Sequence, residues 1–310
     1  MNAELFDCRV AFAETLIELA ETDERVVVVV NDSVGSSNLA EFQRRFPERT
    51  INVGIAEQTM VGVGAGLALS GRIPFVSAAA SFLTGRATEQ IKVDAAYANT
   101  NVKLCGQSPG MGYGALGATH HSIEDISWLR ALPGLTIIVP ADPAETSAAV
   151  RWMAAHEGPV YLRVSRLPVP NIFDQTYRFS PGRGRVVRDG PAATVVANGV
   201  CLTRALEAAN LLAEQGVEIR VVSMPSVQPL DEDLVLACAA ATGRLVTVEE
   251  GQVSGGLGAA VASLLAVKRP TPMRILGVPG VFAPTGSEPW LLDHFGMDPA
   301  GIAAAVRELL

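Results

Sequence analysis

The sequence predicts an α/β protein made of two doubly wound domains. Three observations carry this reading. Short β-branched runs alternate with helical stretches along nearly the whole chain, the pattern of parallel strands joined by crossover helices. The first run, residues 25–30, is an unbroken valine series after Arg25 and so has no polar face, as a strand covered on both sides requires. The alternation breaks once. Between residues 167 and 190, Pro168, Pro170 and Pro181 stand among several Gly and Arg with no helical period, and the alternation then resumes. The expected division is residues 1–170, a connection at 171–190, and a smaller domain at 191–310.

Within the first domain, the pattern predicts helices at 9–21, 57–70, 88–98, 122–131 and 144–156. Strands are expected at 25–30, 50–53, 73–77, 102–105, 136–139 and 160–164. In the second, strands fall at 193–197, 218–223, 244–249 and 273–278, and helices at 201–214, 231–241, 258–266 and 300–310. A mostly parallel sheet of this kind collects its functional loops at the carboxyl ends of the strands.

Composition narrows the function classes. A chain of 310 residues fits about two domains, and 49% apolar with 18% charged residues describes a well-buried globular protein. Aromatics are scarce at 5%, so small side chains must let helices and strands approach closely. A net charge of −8 argues against nucleic acid as a main partner but leaves room for a small phosphorylated substrate held by a few Arg. Cys8, Cys105, Cys201 and Cys238 are scattered without metal-ligand spacing, and read as small buried hydrophobes in a reducing cytosol. Residues 1–21 are acidic and lack a signal core. The apolar stretch 59–83 carries Arg72, Pro74 and recurrent Gly, and reads as a buried helix and strand. No membrane partner and a cytoplasmic address are expected.

Glu57 stands just after a strand, where a helix begins. Alone it is an ordinary helix-start carboxylate, favoured by the helix dipole. Its neighbours alter that reading. Residues 50–58 run Thr-Ile-Asn-Val-Gly-Ile-Ala-Glu-Gln, and a Gly-rich helix follows. On these residues the chain resembles the transketolase family, which includes deoxyxylulose-phosphate synthases and the β-subunits of 2-oxoacid dehydrogenases. The resemblance implies a thiamine diphosphate pyrimidine-binding domain followed by a transketolase C-terminal domain. It implies that Glu57 hydrogen-bonds the aminopyrimidine of the cofactor. The C2 proton of the thiazolium is a poor acid, so the imino nitrogen of the cofactor must act as base. A carboxyl holding a proton at the opposite ring nitrogen favours that tautomer, and a dry pocket should raise its pKa accordingly.

Other residues take on meaning through the same resemblance. Phe82, otherwise plain core, matches the aromatic that stacks on the pyrimidine. Asp32, which could equally be a turn or cap residue, matches an Asp near the thiazolium. His120, in Gly117-Ala118-Thr119-His120, matches the His that faces the reacting carbons. Arg9, Ser37 and Arg166 match a sugar-phosphate clamp, although each alone would pass for a surface Arg or a cap. Two positions depart from the family. Leu116 stands where it has an Asp that contacts a substrate hydroxyl, and Ser108 where it often has a His. Losing a hydroxyl partner should change which substrate is accepted. The expectation is an unusual, branched sugar such as apulose 4-phosphate. Residues 112–117 also fit G-x-G-x-x-G, a weak dinucleotide pattern here because it lies inside the transketolase-like run.

The Gly-Asp-Gly run with a downstream Asn, through which the family binds diphosphate and Mg2+ or another divalent ion, is not found; Asp189-Gly190 lacks the preceding strand. The resemblance thus implies an N-terminal (A) partner subunit holding the ion, with two copies of each chain in a heterotetramer. The expected activity is two-carbon ketol transfer between sugar phosphates. Two other readings stay open: a synthase or dehydrogenase subunit acting on pyruvate or another 2-oxoacid, and a non-catalytic regulatory paralogue.

Overall fold

A computed structural model describes residues 4–310; residues 1–3, the start of the stretch expected to lack a signal core, lie outside the described residues. The first layer set comprises α1 (Cys8–Thr22), β1 (Val26–Val30), α2 (Ala40–Arg45), β2 (Thr50–Asn52), α3 (Glu57–Leu69), β3 (Ile73–Ala79), α4 (Ala80–Arg86) and α5 (Thr88–Gln90), which widens into a looser turn at Ile91–Tyr97. It continues with β4 (Lys103–Gln107), α6 (Asp125–Leu129), β5 (Thr136–Ile138), α7 (Pro143–Ala155) and β6 (Val160–Val164). The second holds β7 (Arg185–Arg188), β8 (Thr194–Ala197), α8 (Cys201–Ala213), β9 (Arg220–Ser223), β10 (Ser226–Gln228), α9 (Glu232–Thr242), β11 (Leu245–Gln252), α10 (Leu257–Lys268), β12 (Met273–Val278), α11 (Glu288–His294) and α12 (Pro299–Arg307).

Among the described residues these strands form two sheets, ordered β10-β5-β6-β4-β3-β1-β2 and β12-β11-β8-β9-β7. The pairs are parallel except β10 with β5 and β7 with β9. All five valines of β1 are buried, which is why that strand shows no alternation. In α3, Gly64 lies so close to β3 that a Cβ there would come within 2.5 Å of Val76. The small residue lets the helix seat Glu57, at its first position, on the sheet. In the first sheet the chain moves outward from β1 to β2 and then returns to the other side of β1 for β3. A crevice at the carboxyl ends is expected at such a reversal.

Several elements differ from the sequence expectation. Residues 185–188, inside the expected connection, form β7; its terminal arginines and place at the edge of the sheet suppress a strand signal. Residues 171–179 are tied down as well. Asp142, the N-cap of α7, accepts the N–H groups of Ile172 and Phe173, both at 2.7 Å. Strand β10 lies between Pro225 and Pro229 and pairs with β5 of the other sheet, so nothing local announces it. Helix α4 begins on the last residue of β3 without a capping side chain, and α2 and α11 are single short helices that periodicity misses. The expected helix at 122–131 shortens to Asp125–Leu129. All four cysteines are buried and unpaired. Among the described residues no helix is long and apolar enough to cross a membrane.

The two sheets share buried apolar clusters. In one, Ile123 and Ala141 pack with Val195 and Val200. A buried charge closes the junction. Arg163, on β6, donates from Nε to Asp125 Oδ2 at 2.9 Å, from Nη2 to Asp125 Oδ1 and to the Ser122 carbonyl, and from Nη1 to the Glu250 carbonyl at 2.9 Å. Tyr161 Oη donates to the same Asp125 carboxylate at 2.5 Å. Removing one partner of a buried pair leaves the other charge uncompensated. Arg163→Ala should therefore lower the unfolding free energy by about 3–5 kcal/mol in a urea transition followed by circular dichroism, and a loss under about 1 kcal/mol would contradict this account of the junction.

Candidate active site

The carboxyl ends of β1, β2, β3 and β4 deliver the candidate residues. Glu57, at the head of α3, is only 2% exposed. Asn31, directly after β1, donates from Nδ2 to its Oε1 at 2.7 Å and is itself steadied by Ser33, whose Oγ donates to Asn31 Oδ1 at 2.6 Å. Arg86, in the last turn of α4, donates from Nη1 to both Glu57 oxygens at 3.0 Å. Four residues earlier on the same short helix is Phe82, and the Arg86 guanidinium lies 4.3 Å above its ring. A flat hydrogen-bond donor is thus already held between the ring of Phe82 and the carboxylate of Glu57.

This corrects the expectation of a raised Glu57 pKa. Burial pushes the carboxyl up, but its own backbone N–H, Arg86 and Asn31 together outweigh burial and hold it below the ordinary value. The sequence reading counted the dryness of the site and not its donors.

His120 follows Gly117, whose φ of +76° turns the chain and whose carbonyl accepts the His120 N–H at 2.9 Å. Its ring lies edge-on to Phe82 with centroids 5.1 Å apart, and 6.1 Å from Tyr113. Thr119 Oγ1 engages its Nδ1 at 2.9 Å, leaving Nε2 for proton exchange. Arg166, just beyond β6, stacks 4.9 Å over Tyr113. Phe82, His120, Tyr113 and Arg166 therefore form one continuous row. His121 is buried with both ring nitrogens unpartnered, and burial pushes its pKa down.

The remaining candidates are placed less uniformly. Asp32 is exposed, takes a left-handed φ of +69°, and is held by Asn52, which donates to its Oδ1 at 3.2 Å and accepts its N–H at 3.1 Å. Arg9 is brought to the loop after β1, where Nη1 donates to the Ser36 carbonyl at 3.0 Å. Its Nη2 and Nε, however, already fork onto Asp7. Ser37 is fully buried and its Oγ has no partner. The pairing of Phe6 with Val169 lays the start of α1 beside the segment that carries Arg166. Ser108, at φ +51°, is buried with its Oγ unpartnered. Leu116 ends a single short turn, Gly114–Leu116, and is 56% exposed. The glycine pattern at 112–117 does not open a helix, because α6 starts only at Asp125. Among the described residues no group of three or more His, Cys, Asp or Glu could hold a metal ion.

The sequence reading did not single out Asn31, Arg86 and Tyr113. The i, i+4 spacing of Phe82 and Arg86 was the one available signal.

Two doubly wound domains, with a buried carboxylate bridged by Arg86 to an aromatic ring at the reversal point of the first sheet, define a two-domain α/β protein with its candidate site at the carboxyl ends of the strands. The chain belongs to the transketolase family: residues 5–171 match the transketolase pyrimidine binding domain and residues 182–302 the transketolase C-terminal domain. It is 40% identical to an apulose-4-phosphate transketolase subunit of Phocaeicola vulgatus, over 100% of this chain and 99% of that one. It is 38% identical to a 6-deoxy-6-sulfo-D-fructose transketolase subunit of Clostridium sp., over 97% of this chain and 94% of the relative. A 1-deoxy-D-xylulose-5-phosphate synthase of Geobacter sulfurreducens is 38% identical over 96% of this chain but only 47% of its own length. The fold matches a solved split-gene transketolase in an inactive β4 tetramer with a TM-score of 0.90, at 40% identity and covering 98% of each chain.

Replacing Arg86 by Ala removes the nearest counter-charge of Glu57 and leaves the carboxyl buried. The carboxyl carbon of Glu57, followed by NMR against pH, should titrate below the ordinary glutamate value in the parent chain and clearly higher in Arg86→Ala. An unchanged midpoint would show that Arg86 does not control this group.

Proposed function

We propose that this chain is the C-terminal half of a two-chain, thiamine diphosphate-dependent transketolase that moves a two-carbon ketol unit between phosphorylated sugars. The observation that carries the reading is the pairing of Glu57 with the ring of Phe82. Arg86, a flat cation, is stacked on that ring and bonded to that carboxylate, so the two side chains fit the plane and the donor of an aminopyrimidine. The full-length match to single chains of split transketolases supports the same conclusion.

When bound, the cofactor supplies the thiazolium carbon that takes up the two-carbon unit. The residues of this chain do the rest. With Arg86, whose side chain is half exposed, swung off, the Glu57 carboxyl would regain proton affinity and could hold a proton at a pyrimidine nitrogen, while Asn31 keeps Oε1 oriented. Phe82, on which Arg86 now lies, would offer its face to the ring. His120, oriented by Thr119 at Nδ1, exchanges protons with the substrate hydroxyls through Nε2. By the family resemblance, Asp32, which Asn52 holds in place, would serve the thiazolium side of the cofactor. Arg166, with Arg9 from α1 and the loop bearing Ser37, receives the sugar phosphate; for Arg9 this requires partial release from Asp7. The diphosphate and a divalent ion, Mg2+ or another, are assigned to the N-terminal (A) subunit, two of which join two copies of this chain in the cytoplasm.

The substrate proposed is a branched sugar such as apulose 4-phosphate. Identity to the chain from Phocaeicola vulgatus supports it, together with Leu116 and Ser108, which remove two ordinary sugar contacts. Action on pyruvate is the second reading, favoured by the synthase from Geobacter sulfurreducens at nearly the same identity.

With the partner chain and cofactor present, Glu57→Gln should lower kcat for ketol transfer by about 10²- to 10⁴-fold. Retention of activity by this variant would identify the chain as a regulatory paralogue. Release of CO2 from pyruvate without ketol transfer by the parent complex would overturn the transketolase reading in favour of the second.

A further inference from the structure

Tyr113 has no task in the proposed reaction, yet it stands in the middle of the site. Its ring is edge-on to His120 with centroids 6.1 Å apart, and the guanidinium of Arg166 lies 4.9 Å from its centre. Phe82 touches the same histidine, with centroids 5.1 Å apart. One aromatic ring therefore separates the proposed proton-exchanging group from the proposed phosphate-binding group. That ring cannot retreat. Gly110 and Ser122 exchange backbone bonds at 3.0 and 2.7 Å and close the base of its loop. From the second domain, Glu250 on β11 accepts the N–H of Met111 with Oε1 at 2.7 Å, and Gly286 donates its N–H to the Gly114 carbonyl at 3.1 Å. These anchors flank Tyr113 on both sides. There is no slack between the domains: a Cβ on Gly110 would overlap the Glu250 carboxyl, and one on Gly114 the Gly286 carbonyl oxygen.

Among the described residues Arg166 enters no ion pair, whereas Arg9, Arg86, Arg163 and Arg204 are each bound to a carboxylate. The ring of Tyr113 is what orients its guanidinium. An arginine lying on a ring keeps the donors along its edge for a phosphate, and it has less side-chain freedom left to lose on binding. The contact also fixes a length. A phosphorylated aldehyde lying along the row has its reacting carbon at His120 and its phosphate at Arg166. Each carbon added between the two pushes the phosphate outward, and a longer chain must lift the guanidinium off Tyr113 to be bound. Nothing on the loop compensates, because Ala115 and Leu116, the exposed side chains that follow, offer no hydrogen bond to the extra hydroxyls.

We propose that Tyr113 is a positioning residue that sets substrate length: by holding Arg166 one ring away from His120, it favours a three-carbon aldose phosphate over a five-carbon one as acceptor of the ketol unit. The proposal rests on the function proposed above, in which His120 and Arg166 face the substrate. The same spacing suits a branched sugar, whose phosphate stands closer to the reacting carbon than in a linear sugar with the same number of carbons.

The test uses this chain assembled with its partner chain and cofactor, and compares glyceraldehyde 3-phosphate, ribose 5-phosphate and unphosphorylated glyceraldehyde as acceptors. In Tyr113→Val the KM for ribose 5-phosphate, divided by that for glyceraldehyde 3-phosphate, should fall about fivefold, the loss of one cation–ring contact, while kcat changes less. The open-chain fraction of ribose 5-phosphate is the same for both proteins and cancels. Tyr113→Phe, which keeps the ring, should keep the parent ratio whatever its kcat. Unphosphorylated glyceraldehyde does not reach Arg166, and its KM should not follow the ring. An unchanged ratio in Tyr113→Val, a collapsed ratio in Tyr113→Phe, or an equal rise in KM for unphosphorylated glyceraldehyde overturns the proposal. The Arg166 Nε–H resonance of the full chain, assigned through Arg166→Lys, is read alongside and needs no turnover. The ring should hold it upfield in the parent and in Tyr113→Phe, and inorganic phosphate should shift it at lower concentration in these than in Tyr113→Val. A parent resonance without the upfield shift, or an equal response to phosphate in all three, also overturns the proposal. Failure of the parent complex to transfer ketol units to any acceptor counts against the function proposed above, and the resonance still decides whether Tyr113 holds Arg166 for an anion.

Discussion

Arg163 is the joint on which the arrangement turns. A guanidinium with so little access to water is tolerated only because every side of it is met: the Asp125 carboxylate, the carbonyl of Ser122 from the His120 loop, and the carbonyl of Glu250 from the second sheet. Those partners belong to α6, the loop before it and β11, while Arg163 itself sits on β6. One charge therefore dictates how the two sheets meet. The exchange of strand β10 into the first sheet and the shared apolar clusters add area to the same junction. A loop rich in glycine has little shape of its own. Here the second domain gives it one, which provides a structural reason for the smaller domain to be carried on this chain.

Glu57 shows how opposing terms set the state of a buried acid. Dryness alone would favour the neutral carboxyl, yet three donors reverse the balance. One of them, Arg86, sits on a half-exposed side chain at the end of a seven-residue helix and can leave without disturbing the core. The chain by itself thus holds the acid below its ordinary value; in the proposed function, a ring taking the place of Arg86 on Phe82 would restore the proton affinity.

Features written locally were legible in the sequence. The Val-rich strand, the Gly-rich helix, Glu57 and Phe82 shortly after strands, and His120 in the loop after β4 stand in short runs whose spacing survives folding. The reversal of the first sheet then gathers them. What was not legible depends on distance along the chain. β10 has its partner in the other sheet. Glu250 meets Met111 across 139 residues, and no periodicity reports such a contact. β7 was hidden because an edge strand bearing Arg185 and Arg188 looks like a linker. The environment of Glu57 was misread for a related reason: burial can be guessed from neighbours, but the direction of a donor cannot. Arg9 illustrates the same limit, since a nearby Asp7 occupies the fork that would otherwise face a phosphate.

The central claim is that this chain supplies only the pyrimidine half of a cofactor site. Isothermal titration of thiamine diphosphate, with a divalent ion, into this chain alone and into its complex with an N-terminal partner chain tests that claim most directly. The account predicts heat of saturable binding only for the complex, with the stoichiometry set by the number of paired chains. Saturable binding to this chain alone, at the affinity of the complex, would contradict it.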